Sequence, residues 1–102
     1  MSGEVLLDLA FKGPVIHWRG PAPFFFVGVP GEHSEVIRDA ARRASYGWGC
    51  VPVAAEANGV PFTTSLFPKD GGYLLPLKAA VRKSAGIAMG DPVEVGMTIC
   101  AR

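Results

Sequence analysis

Several features that usually betray a function are scarce or missing in this chain. Only two of its 102 residues are cysteine, Cys50 and Cys100, too few and too far apart for a disulfide framework or a metal knuckle. His17 and His33 lie in different segments with no second ligand at binding spacing, so no metal is expected. Neither sign of charge dominates. Ten Lys and Arg stand against nine Asp and Glu, a net charge of +1, which gives no strong field for DNA, RNA or an anionic membrane. No run approaches the roughly 18 apolar residues of a membrane-spanning helix. The first residues carry Glu4 and Asp8 without a basic flank and do not read as a signal peptide. Nucleophile-elbow, phosphate-loop, zinc-helix and dinucleotide patterns are also absent, and Gly47-Trp48-Gly49 falls far short of any of them. The expectation is a cytoplasmic protein without a cofactor.

What is present is a foldable core. Hydrophobic residues make up 49% and charged residues 19%, enough apolar surface to fold and too little charge for disorder. The length fits one domain, residues 1–102. Thirteen glycines and nine prolines imply frequent turns, as a β-rich chain needs.

Period-two alternation puts Val5, Leu7, Leu9 and Phe11 on one face of a first strand, which Lys12-Gly13-Pro14 is expected to break before Val15–Trp18 resumes. Gly20–Pro23 is a stiff turn, and Phe24–Val29 a short buried strand. The period then changes. Val36, Ile37, Ala40, Ala41 and Ala44 recur at helical spacing, with Glu35 at the start and Arg42 and Arg43 in the last turn, predicting a helix over about 33–44. Asn58-Gly59 between two β-like runs is a strong hairpin signal. Pro52 and Pro61 cannot donate to a ladder, so that hairpin is expected at a sheet edge or barrel corner. Pro68–Gly72 reads as a loop, Tyr73–Leu75 as a short strand, and Pro76 as the first residue of a second helix that Gly86 stops. Leu77, Ala80 and Val81 form its apolar stripe. After a turn at Gly90-Asp91, Val93, Val95, Met97 and Ile99 alternate as a last strand.

Three spaced stretches carry a family likeness. Tyr73–Ile87 with Gly90-Asp91-Pro92-Val93-Glu94-Val95, Gly47–Val53 with Thr64-Ser65-Leu66-Phe67-Pro68, and Phe25-Phe26-Val27 before Val29-Pro30 together resemble the bacterial family known as domain of unknown function 1905. The resemblance implies a mainly β fold, a small double-split β-barrel of about six to seven strands with two short helices, and no established activity. A looser pattern, Leu75-Pro76, Val81-Arg82, Gly86-Ile87, Gly90-Asp91, Val93 and Val95, is similar to the AbrB and MazE type of swapped-hairpin regulators. Those share one barrel between two short chains. This chain is long enough to supply both halves alone.

Two constellations could carry chemistry. Lys78 and Arg82 lie four apart on the second helix, a like-charge pair that costs a few tenths of a kcal/mol unless an anion sits near. Lys69, Thr64, Ser65 and Tyr73 complete a set able to hold a phosphate or carboxylate; otherwise it is a solvated basic face balanced by Asp70, Asp91 or Glu94. Trp18, Phe24, Phe25, Phe26, Tyr46 and Trp48 form the second set. They serve as core, or as an aromatic-walled pocket to which Tyr46 and Trp48 lend polar tips. His17 reads as a half-buried strand residue and His33 as a solvated one. The leading expectation is a non-catalytic binding or interaction module, a monomer or weak homodimer with a small anionic ligand. A DNA-binding regulator of AbrB-like fold is one alternative, and the small net charge argues against it. An enzyme with its pocket at the barrel mouth, using Tyr46, Lys78 or Tyr73 as acid or base, is the other.

Overall fold

A computed structural model describes residues 4–18, 24–44 and 50–100. Among the described residues six strands and two helices follow one another: β1 (Val5–Trp18), β2 (Phe24–Gly28), α1 (Ser34–Ala44) after a 3-10 turn at Gly31–His33, β3 (Val51–Ala57), β4 (Val60–Lys69), β5 (Gly72–Leu77), α2 (Ala79–Ala85) and β6 (Pro92–Cys100). The strands close into one barrel in the order β1-β2-β5-β4-β3-β6, every pair antiparallel. A single copy of the chain supplies all of it, and the fold is mainly β. No helix among the described residues is long and apolar enough to cross a membrane.

Alternation drives the closure. Val93, Val95, Met97 and Ile99 on β6 are buried while Glu94, Gly96, Thr98 and Cys100 are not. Val51, Val53, Ala55 and Ala57 of the neighbouring strand β3 are buried in the same way, Ala55 opposite Met97 and Ala57 opposite Val95. The Asn58-Gly59 hairpin forms as its sequence demands, with φ of +47° and +88°. Pro52 and Pro61 pair with β4 and β3 on one side, at Ser65 and Glu56. Both lie outside the pairings of β3 with β6 and of β4 with β5. Neither proline therefore withholds a donor from those second ladders.

Two strands are shared by both halves of the barrel. β1 pairs with β6 up to Pro14 and with β2 from Val15 onward. β4 pairs with β3 up to Leu66 and with β5 from Phe67. This corrects the expected break at Lys12-Gly13-Pro14: β1 runs on without interruption, and the glycine and proline mark its change of partner. Val27 Cγ1 would lie 3.3 Å from a Cβ placed on Gly13, so the small residue lets β1 cross close over β2.

Tyr73–Leu75 is a strand as expected, and a second correction concerns the residues on either side of it, Pro68–Gly72 and Pro76-Leu77. Instead of a loop and a helix start, they extend β4 and β5 into another tight hairpin, turned by Asp70 at φ +51° and Gly71 at +80°. Pro76 lies inside β5 opposite Phe26, and the helix begins only at Ala79, with Lys78 as its N-cap. Leu77 is buried at the end of β5, Val81 is buried in α2, and Ala80 is exposed, so the apolar stripe is shorter than the spacing suggested. Gly86 caps α2 in the left-handed region, φ +67°.

The helices occupy opposite ends. Arg38 on α1 donates to the carbonyl of Gly71, and Arg43 reaches Glu4 at the start of β1, so α1 spans the end carrying the Asp70-Gly71 turn. Ile37 and Ala40 are buried there, whereas Val36, counted in the apolar stripe, is 45% exposed. α2 packs beside β4 at the other end.

Candidate functional site

The end of the barrel away from α1 gathers an aromatic ring and a cation. β2 runs between β1 and β5, and Phe25 faces His17 on one side and Leu77 on the other. The His17 imidazole stacks on Phe25 with centroids 4.5 Å apart and planes 18° from parallel. α2 leaves directly from Leu77, which brings Arg82 back over the same place. Its guanidinium carbon sits 3.7 Å from the Phe25 centroid, and its Nε donates to the Leu77 carbonyl at 3.3 Å. Such a cation over a ring face contributes about 0.5–2 kcal/mol, most where water is excluded. Arg82, Phe25 and His17 are all half-buried.

No carboxylate among the described residues lies within ion-pair distance of Lys78, Arg82 or Lys83; the two ion pairs there, Arg42 with Asp39 and Arg43 with Glu4, involve α1. The acids expected to balance this corner are occupied elsewhere. The Asp91 carboxylate accepts from the Ala88 N–H, Glu94 lies opposite Lys12, and Asp70 sits in the turn at the far end.

The structure divides the other residues singled out in the sequence. Lys78 stays with Arg82, one turn away, where the Arg82 N–H donates to the Lys78 carbonyl at 3.0 Å. Lys69 pairs with Gly72 at the opposite end of β5 from Leu77, roughly 17 Å away at strand rise. Tyr73 is a core residue, 7% exposed. Thr64 and Ser65 are consecutive in β4 and take opposite faces, so they do not act on one ligand together. Tyr46 and Trp48 lie outside the described residues. Of the aromatic set, Phe25 joins the site while Phe26 is buried. His17 is half-buried as expected; His33 is half-buried too, its ring 6.3 Å from that of Phe11, and not solvated as expected. Sequence reasoning missed the partnership of His17 and Phe25 with Arg82, which rests on strand register.

A groove of about 740 Å³ opens on the outer face of β1, β6 and β3, floored by Ala10 and Gly96 and edged by Lys12, Glu56, Asn58 and Glu94. Next to it, Thr98 donates to the Asp8 carboxylate at 3.2 Å. This face is rich in acids, opposite in sign to the α2 corner. No group of His, Cys, Asp and Glu among the described residues is arranged to hold a metal.

The family model for the domain of unknown function DUF1905 matches residues 11–97. The chain belongs to this family. The DUF1905 match takes in His17, Phe25, Lys78 and Arg82, and all of the barrel except the start of β1 and the end of β6. No curated protein matches the chain significantly.

Proposed function

We propose that this DUF1905 protein is a non-catalytic binding module that holds a small anionic ligand at the α2 end of its barrel, with Arg82 as the main contact and Lys78 beside it. The observation that carries the reading is Arg82. A half-buried guanidinium, fixed on Phe25 and bonded to the Leu77 carbonyl, has no ion-pair partner among the described residues. Partial burial of a charge costs free energy that a counter-ion recovers. The acidic outer face with Asp8, Glu56 and Glu94 weighs against the alternative of a DNA-binding regulator, since phosphate backbones seek basic surfaces. Cys50 and Cys100 form no disulfide, which suits the cytoplasm as its location, and a monomer or weak homodimer is the proposed state.

Thermal unfolding in the presence of sugar phosphates, nucleotides and short carboxylates tests this. A ligand at ten times its Kd adds about 1.4 kcal/mol of stability. That gain is expected for wild type and lost in Arg82→Met. If no anion shifts the transition of the wild-type protein, the reading is wrong.

A further inference from the structure

Building on the anion site above, we infer that its ligand group is a phosphoryl dianion rather than a carboxylate, and that Phe25 is the positioning residue that aims Arg82 at it. The Nε of Arg82 is committed to the Leu77 carbonyl, so the donors left for a ligand are those of the two Nη groups, side by side in a planar fork. Phe25 sets the plane of that fork, because the guanidinium lies against the ring at 3.7 Å. His17, stacked on the same ring from the β1 side, keeps Phe25 from turning away.

The charge count selects the ligand class. A carboxylate fills a two-donor fork and brings one negative charge. Here Lys78 lies one turn before Arg82 and Lys83 directly after it, three cations without an ion-pair partner among the described residues. A phosphoryl group brings a second charge and a third terminal oxygen. The fork takes two oxygens, and Lys78, one turn before Arg82, offers an ammonium for the third. Phe25 itself carries no charge and no donor, so its removal takes away the ring under Arg82 but leaves the three positive charges of the corner in place. That separates a shaped site from a merely basic patch.

The test is calorimetric titration of the intact chain with inorganic phosphate and with acetate at constant ionic strength. It is run at about pH 8, where phosphate carries its second charge. Wild type is expected to bind phosphate about tenfold or more tighter than acetate, the worth of one further charge-assisted hydrogen bond. Phe25→Leu is expected to lose about tenfold in phosphate affinity, Phe25→Tyr to restore it, and Arg82→Lys to lose it despite keeping the charge. Circular dichroism confirms that each variant is folded. Wild-type selectivity needs no variant at all. Acetate binding as tightly as phosphate overturns the phosphoryl class while the anion site stands, and binding of neither overturns both. Phosphate affinity unchanged in Phe25→Leu overturns the positioning role.

Discussion

Asn58 and Glu94 hold each other by two hydrogen bonds across the barrel wall. The Asn58 N–H donates to the Glu94 carbonyl at 2.9 Å, and the Glu94 N–H donates to the Asn58 side-chain oxygen at 2.9 Å. Asn58 also turns the β3–β4 hairpin at φ +47°, so one residue shapes a turn and fastens it to β6.

Replacing Asn58 separates those two roles. Asn58→Ala loses the side-chain bond and strains the left-handed backbone, a combined cost of about 1.5–3.5 kcal/mol. Asn58→Gly keeps the backbone freedom and loses only the bond, about 0.5–1.5 kcal/mol. Urea denaturation should rank the alanine variant below the glycine variant; the reverse order removes the backbone term.

Gly86→Ala tests the end of α2. Nothing lies within 4 Å of a Cβ at this position, but its φ is +67°, so the cost is backbone strain alone, about 1–2 kcal/mol. A melting temperature lower by roughly 4–8 °C per kcal/mol is expected for a domain of this size. Fraying of α2 should also weaken whatever anion affinity Arg82 confers, measured in the same titration.

Leu75→Ala tests the core. Leu75 is fully buried in β5, at the centre of the β2–β5 pairing opposite Val27. Lost transfer energy and the remaining cavity together cost about 2–5 kcal/mol. A change under about 1 kcal/mol in denaturation would mean that the site collapses around the smaller side chain.

Glu4→Gln should do very little. Glu4 and Arg43 meet at 3.2 Å with side chains 68% and 59% exposed, and such surface pairs are worth about 0–1 kcal/mol. A midpoint shift within error is the expected result, and a large one would show that α1 depends on this pair for its docking.

Strand β6 and the first hairpin were open to reading because each is decided locally: strict alternation from Val93 to Ile99, and a turn dipeptide between two β runs. Pro68–Gly72 and Pro76-Leu77, on either side of the correctly read strand Tyr73–Leu75, mislead for the opposite reason. Proline and clustered glycines are equally at home in loops, helix starts and strands that lack a neighbour. Only the pairing of β5 with β2 puts Pro76 in the sheet. The site shows the same division. Arg82 and Lys78 stood out by their spacing, whereas Phe25 and His17 reach Arg82 only through the order β1-β2-β5. Lys69, close to Lys78 in sequence, is carried to the opposite end by the straightness of β5.

The earliest strand and the latest are neighbours, since Val5 stands opposite Cys100 and Pro14 opposite Pro92. During synthesis, β2 follows β1 directly, but the Val5–Pro14 part of β1 is made well before β6, its partner there, and its bare hydrogen-bonding rim has to be kept from strangers until then. The barrel can close only once β6 has been made, because β6 joins β1 to β3, and a chain stalled before Pro92 leaves both of those edges unpaired.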